Sequence, residues 1–399
     1  MTLEQEVLLA LMQTAIAGKK FSLPFKQVEW DALIRESIQQ SVYLNLFGMS
    51  ALLKPLMPEG DYDRYFKRGY GILMANTALS AAQKMLVSFL EGEQIQYVIL
   101  KGEAAAYYYP HPEFRRLGDV DFLVHPNDGD RIAAFLLSKG FAASHENDSR
   151  HRVFTKSGLR FEMHFEVAGL PDGGPREKIT TFLSSVFTMA EKANNGVGDY
   201  LKPAAFHHAL ILLLHMQHHM LDRGMGLRHL CDWACFLQRT DNEPFWNEQL
   251  LPFLTEIGLF SYAATMSKVC AIYLGIRCPV WATDVDTELC VAVIEDVLSG
   301  GNFGMKDCQR KESATMISYH KNESKVTLLF HTMKRSVLAH HPNTKTNRLL
   351  FVWHFCRRSL CYFWSVLAGK RISTIKAAAQ ANKRKKVYDQ LRIFEVDVK

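Results

Sequence analysis

The chain has 399 residues, of which 48% are hydrophobic and 22% charged, with a formal net charge of +6. That length allows two or three packed units at about 150 residues per domain, and the composition is that of a globular protein rather than a disordered one. The charge is uneven: residues 333–399 hold fifteen Lys/Arg and three Asp/Glu, a net of +12, so residues 1–332 carry −6.

Residues 1–90 read as helices. Glu4 to Ala17 spaces Val7, Leu8, Leu11 and Ala15 near the helical period, Trp30 through Leu46 reads as a second helix, and Tyr62 to Glu91 as a long third one. The first strand follows at Gln96 to Leu100 and ends in Lys101-Gly102. A tyrosine-rich spacer leads to Arg115-Arg116-Leu117-Gly118 and then to a second strand, 119–124, that contains Asp119-Val120-Asp121. Residues i and i+2 of a strand share a face. Asp119 and Asp121 therefore project side by side while Val120 and Phe122 turn towards a core. Adjacent carboxylates repel each other unless a cation lies between them, so the pattern points to a divalent metal site. Oxygen ligands suit Mg²⁺.

Asp130 to Lys139 reads as an amphipathic helix stopped at Gly140. Arg150 to Thr155 and Leu159 to Val167 flank Lys156-Ser157-Gly158, a hairpin turn signal. On the second of these strands Phe161, Met163, Phe165 and Val167 share one face, and Glu162, His164 and Glu166 the other. Glu162, with Glu166 as rival, is the candidate third carboxylate of a cluster able to hold two Mg²⁺ ions, which activates an attacking hydroxyl and stabilises leaving pyrophosphate. His164 lies on the same face, placed to orient a carboxylate or touch a substrate. Residues 168–175, rich in Gly and Pro, read as a loop.

From Pro203 the pattern is helical: Ala204 to Met220, a break at Gly224 and Gly226, Leu227 to Gln238, then 244–256, 259–274, 285–298 and 324–339, with a polar loop over 300–323. His215 and His219 are four apart and share a helix face. With His218, His207, His208 and His229 nearby they make a zinc site conceivable, although no Glu stands where a zinc-protease helix needs one. The preferred reading is that one or two of these histidines, with Arg228 and Asp232, line a cleft against the α/β unit. A plain ion pair between Arg228 and Asp232, four apart, is the rival. Lys101 and Arg115 are candidates for phosphate contacts, since a guanidinium fork matches phosphate oxygens.

Leu349 to Ala368 is the most apolar window, but Arg357 and Arg358 sit near its centre. Each costs roughly 2.5–3.5 kcal/mol at a membrane-helix centre, so no transmembrane segment is expected. An amphipathic helix that packs on the protein is preferred over one lying on a membrane surface. The basic segment 333–399 is a possible polyanion contact, whether nucleic acid, anionic lipid or an acidic protein face. The eight cysteines contain no CxxC pair, and Cys231 and Cys235 read as buried thiols. No secretory signal is visible at Met1-Thr2-Leu3-Glu4, so a cytoplasmic location is expected. The boundaries expected are an N-terminal helical region at 1–90, an α/β core at 91–200, a helical domain at 201–332 and a basic helical tail at 333–399.

Leu100-Lys101-Gly102, the Tyr-Pro spacer, Arg115-x-x-Gly118-Asp119-Val120-Asp121-Phe122-Leu123-Val124 and Phe161-Glu162-Met163-His164 together resemble the polymerase-β-type nucleotidyltransferase superfamily, and within it a poorly characterised bacterial branch. The resemblance covers about residues 30–240 and includes His215-Met216-Gln217-His218-His219 and Gly224 to Asp232. It implies an α+β fold, a small mixed-sheet nucleotidyltransferase core flanked by helical regions. It also implies transfer of a nucleoside monophosphate from an Mg²⁺-bound NTP to an unidentified acceptor: a small molecule, a protein or RNA. By the same resemblance Asp119 and Asp121 are metal ligands and Glu162 the third carboxylate. Gly102 becomes the phosphate-loop glycine and Arg115 the basic residue before the metal strand, while His215 and Arg228 are candidates for acceptor contacts. One residue departs from the pattern. Glu103 stands where Ser or Gly is usual after the loop glycine, and an acidic side chain there would repel a triphosphate unless it points away. That departure supports the alternative of a catalytically degenerate fold acting as a nucleotide- or partner-binding module.

Overall fold

The computed structural model describes residues 1–20, 28–144, 150–307, 348–367 and 384–395, with isolated positions at 310, 330, 334 and 337. Five helices come first: α1 (Leu3–Ala17), α2 (Trp30–Gln39), α3 (Tyr43–Phe47), α4 (Ser50–Leu53) and α5 (Glu59–Gly92). Thr2 and Gln5 form a capping box that starts α1. The single helix expected over Trp30 to Leu46 is two helices. Ser41 takes a left-handed backbone (φ 58), and Gln40 turns its polar groups away: its side-chain oxygen accepts from the Leu227 amide at 3.1 Å and its carbonyl from the Arg228 amide at 3.3 Å. The break thus caps a helix nearly two hundred residues onward, satisfying amides that no intrahelical carbonyl can reach.

A five-stranded mixed sheet follows, built from β1 (Tyr97–Ile99), β2 (Val120–Val124), β3 (Ala142–Ala143), β4 (His151–Lys156) and β5 (Leu159–His164) in the order β1-β2-β5-β4-β3. Only β2 and β5 run parallel, with Asp121 opposite Glu162 and Phe122 opposite Met163. The short helix α6 (Glu103–Ala106) lies between β1 and β2, and α7 (Gly129–Ser138) follows β2. Helix α8 (Gly174–Phe182) leads to a separate hairpin of β6 (Glu191–Asn194) and β7 (Asp199–Lys202). Neither that hairpin nor the two-residue β3 is legible in the sequence pattern, because each is too short to establish a period of two. Strand β5 ends at His164 rather than Val167, so Glu166 leaves the Glu162 face and pairs instead with Arg176.

The chain then forms α9 (Ala205–Leu221), α10 (Leu227–Thr240), α11 (Leu251–Glu256), α12 (Phe260–Leu274) and α13 (Thr287–Gly300), with a π-turn at Trp246–Leu250 opening the region expected as one helix over 244–256. Two apolar cores result. One joins α1–α3 and Tyr65 of α5 to α9, α10, α12 and α13, so the N-terminal and later helices share an interior. The other buries Leu79, Leu86 and Leu90 of α5 against β1, β2, β5, α7 and the β6–β7 hairpin. Helix α5 therefore spans both cores and fixes the sheet relative to the helices. Helix α14 (Arg348–Leu367) follows, and residues 384–391 are helical as well. The expectation that the aromatics of α14 pack inward does not hold for Trp353 and Trp364, which are 62% and 68% exposed. No helix among the described residues is long and apolar enough to cross a membrane. The expected helix over 324–339, apart from isolated positions, and about half of the basic segment lie outside the described residues.

His207 and His208 of α9 are fully buried. Burial pushes the His208 ring down to about 3, helped by Lys202 and opposed by Asp232, and pushes His207 to about 4 against the pull of the Phe182 carbonyl. An unfolded histidine titrates near 6.5, so between about pH 6.5 and 4 the unfolded chain binds more protons, and stability falls on acidification. Each ring contributes a slope of up to about 1.4 kcal/mol per pH unit in that window. Urea midpoints at pH 7 and pH 5 should differ more for the wild type than for His208→Asn; equal differences would contradict the assignment.

Candidate active site

Strands β1 and β2 are antiparallel neighbours, and the Leu100 amide donates to the Asp121 carbonyl at 3.0 Å, which carries the pairing past the end of β1. Gly102 turns the chain there with φ 57 and ψ −111, a backbone that a residue with a Cβ enters only with strain. Lys101 and Gly102 are thereby held over the start of β2. The approach to β2 is clamped from α5: the Asn76 side chain donates to the Arg115 carbonyl at 2.7 Å and accepts from the Leu117 amide at 3.0 Å. Asp119 stands one residue before β2, half-buried, and Asp121 lies within it at 4% exposure. Both alternate with Val120 and Phe122, which enter the second core.

Asp121 is the centre of a charged cluster. Lys101 donates to its Oδ1 at 3.0 Å and the His164 Nε2 to the same oxygen at 2.8 Å, while His164 also lies 3.4 Å from Glu162. Arg160 binds Glu162 from the other side at 2.8 Å. Burial raises the proton affinity of Asp121, but the Lys101 ammonium and the His164 hydrogen bond overcome it and hold the carboxyl well below the usual range. Glu162 is lowered too, with His164, Lys101 and Arg160 outweighing burial. Asp119 goes the other way: the Asp121 charge and then burial raise it, against Lys101 and Arg228. Among the described residues none forms an ion pair with Asp119. Two neighbouring carboxylates have thus been driven apart in proton affinity, as close like charges require.

The cluster opens on a cavity of about 210 Å³ lined by Lys101, Gly102, Gly118, Asp119, Asp121 and Glu162 on the sheet side. The helical side supplies His215 and His219 from α9, Arg228 from α10 and Phe303 from the turn after α13, with Arg115 at the edge. The structure therefore brings together Lys101, Gly102, Asp119, Asp121, Glu162, His215 and Arg228, and sets His164 behind the carboxylates. Glu166, paired with Arg176, is not part of the lining.

Three residues stand differently from expectation. Arg115 is 4% exposed and its fork is held by Asp232 of α10, Nε at 2.8 Å and Nη2 at 2.7 Å, with the Tyr109 hydroxyl donating to the same carboxylate at 2.7 Å. That pairing engages the Nε and Nη2 of the guanidinium, and Arg115 still lines the cavity. The pairing also removes Asp232 from the ion pair with Arg228. Arg228 instead lies over the Phe303 ring at 5.6 Å, and its Nε is buried without a hydrogen-bond partner. Glu103 is 6% exposed and hydrogen-bonded to Ser80 of α5, with its carboxyl raised by burial. Its side chain therefore points into the α5 packing and not into the acidic cavity.

Phe303 escapes sequence reasoning, since it sits in a polar stretch that reads as a loop. It adopts a left-handed backbone (φ 54, ψ 30), a strained state for an aromatic residue that surrounding structure must impose. Gly226 allows it: a Cβ there would lie 2.7 Å from the Asn302 side chain, and Asn302 is tied to Ser41 at 2.7 Å. The N-terminal helices thus position both ends of the helical wall.

A mixed sheet that presents three carboxylates and a glycine turn to one cleft, with helices closing the far side, defines a nucleotidyltransferase-type α+β protein. A family model described as uncharacterised nucleotidyltransferase matches residues 26–275. The chain belongs to that family. No curated protein matches it.

Proposed function

We propose that the chain transfers a nucleoside monophosphate from an NTP to an acceptor hydroxyl or phosphate, in an Mg²⁺-dependent reaction that releases pyrophosphate. The observation that carries this reading is the convergence of Asp119, Asp121 and Glu162 with Lys101 and Gly102 on one cavity. The donor set fits the ion. All three carboxylates supply hard oxygen ligands, and Asp119 is a repelled carboxylate without an ion-pair partner among the described residues. Asp119 and Asp121, with Glu162, would hold the two ions. Magnesium, when bound, supplies charge neutralisation at the phosphates and lowers the cost of deprotonating the acceptor.

The chain's own groups do the remainder. The left-handed backbone at Gly102 leaves its amide side free of a Cβ where the phosphates approach. Lys101 and Arg228 place positive charge on opposite sides of the cavity, where the triphosphate's negative charge would lie. Arg160 and His164 keep Glu162 ionised and able to accept the acceptor proton. The acceptor oxygen then bonds to the α-phosphorus, the bond to the β-phosphate oxygen breaks, and pyrophosphate leaves. His215, across the cavity from the carboxylates, is placed to meet the acceptor.

The alternative is a fold that binds nucleotide without turnover. Its support from Glu103 is weakened by the Ser80 contact, but the Lys101–Asp121 ion pair, which occupies an oxygen wanted by a metal, favours it. Calorimetric titration of each of the four NTPs with Mg²⁺, paired with a pyrophosphate-release assay over an acceptor panel, separates the readings. Mg²⁺-dependent binding with release supports transfer, binding without release supports the binding module, and no binding of any NTP would sink both.

A further inference from the structure

The helical wall of the cleft carries a second cluster of metal-ligating side chains. His215 and His219 lie one turn apart on the same face of α9, with ring centroids 4.3 Å apart. His229 comes to them from α10, at 5.3 Å from His215 and 5.0 Å from His219. One ring nitrogen of each lies within 4.8 Å of those of the other two. The rings are poorly served by the protein. Nδ1 of His215 and Nδ1 of His219 are buried without a hydrogen-bond partner, and His229, 1% exposed, meets only the Gly226 backbone. Buried polar atoms in folded proteins are nearly always satisfied, and each exception calls for a missing partner.

We propose that His215, His219 and His229 form a metal site for a divalent ion of the zinc class, separate from the carboxylate site and facing the same cavity. Two histidines at i and i+4 on one helix, completed by a third from a packed neighbour, present three imidazoles to one point. Imidazole nitrogen selects Zn²⁺, Co²⁺, Ni²⁺ or Cu²⁺, whereas the all-oxygen set across the cleft suits Mg²⁺. The two clusters therefore take different ions. A tetrahedral ion with bonds of about 2.0–2.1 Å needs its nitrogens roughly 3.4 Å apart, so the three rings close inward by about an ångström, a side-chain adjustment. Phe303 stands edge-on to His219 at 4.7 Å and forms an apolar wall beside the site. His215 and His219 line the cavity, so the fourth position opens on it, the arrangement of zinc sites that keep a place for water or substrate. An oxygen of the acceptor, or of its phosphate, is the ligand such a position would take. The ion would also fix α9 to α10 and so the placement of Arg228.

The test uses the full chain, stripped with a chelator and titrated with Co²⁺. One equivalent should produce the visible bands of nitrogen-coordinated tetrahedral cobalt, persisting in excess Mg²⁺ and in the Asp119→Asn/Asp121→Asn variant. The bands should be lost in His219→Asn and in His229→Asn with circular dichroism unchanged. Absence of the bands from the wild type overturns the proposal, and that measurement stands alone if the histidine variants do not fold. Bands lost in the aspartate variant but kept in the histidine variants overturn it as well, by placing the ion on the carboxylates. Failure of the nucleotidyl-transfer reading would show as no Mg²⁺-dependent NTP binding, with the cobalt bands untouched.

Discussion

Asp119→Asn is expected to weaken Mg²⁺-dependent NTP binding strongly and to slow pyrophosphate release, while leaving the metal-free protein as stable as the wild type, or more so. The two halves of that result have one cause. Asp119 is raised in proton affinity chiefly by the Asp121 charge, so as a carboxylate it is repelled by its neighbour in the absence of a cation. An amide of the same shape removes the repulsion and a metal ligand together. Loss of one preorganised electrostatic partner costs about 3–4 kcal/mol in transition-state stabilisation, a rate loss of roughly 10²–10³. In a chelator, the urea midpoint should stay level or rise. With Mg²⁺ added, the wild type should gain thermal stability by ligand linkage and the variant should not.

Asp121→Asn behaves differently, because Lys101 and His164 both donate to Asp121. Removing that charge takes from both Lys101 and His164 the carboxylate they share, so the variant loses stability as well as binding. An Asp119→Asn protein that binds Mg²⁺ and NTP like the wild type would remove the carboxylate site from the mechanism.

Asp232→Asn is expected to lower unfolding stability by about 3–5 kcal/mol, the cost of breaking a buried pair on one side. Asp232 and Arg115 are each 4% exposed, and the pair is bidentate with Tyr109 as a third partner. The contact joins α10 to the segment that delivers Asp119, so it holds the helical wall on the sheet. Replacing both partners by apolar residues, Arg115→Met with Asp232→Leu, should recover most of the loss, because a buried ion pair often does little better than a well-packed apolar one. Urea denaturation of the two single variants and the double variant gives the coupling directly. If Asp232→Asn is as stable as the wild type and only NTP binding weakens, Arg115 belongs to the triphosphate site after all.

Much of the candidate site is local in origin, and that part was open to reading. The alternation Asp119-Val120-Asp121-Phe122 sets which groups leave the core, because successive strand side chains point to opposite faces. The same period on β5 offers Glu162 or Glu166, and parallel pairing, with the strand ending at His164, is what sets Glu162 opposite Asp121. The Lys-Gly ending of the first strand marks a turn, since only glycine enters that backbone region freely. The long α5 and the helices α9, α10, α12 and α13 likewise follow from apolar periodicity, whereas the α+β class was what the family resemblance implied.

The remainder depends on which distant segments meet, and no local period encodes that. Glu103 looked like an obstacle to phosphate until α5 supplied Ser80 to receive it. That Arg115 is paired with Asp232 depends on α10 packing against the segment before β2. The histidine cluster requires α9 and α10 to pack at one angle, so His229 carried no more signal than any other histidine of the chain. Phe303 depends on a strained turn held by Asn302 and Ser41, which are 261 residues apart. The sequence by itself determined the strands β1, β2, β4 and β5, their buried faces and the paired acids, because backbone periodicity is a property of neighbours. The tertiary structure alone decided which charges are neutralised and which face the cleft, because burial and pairing of a polar group are set by whatever element packs against it.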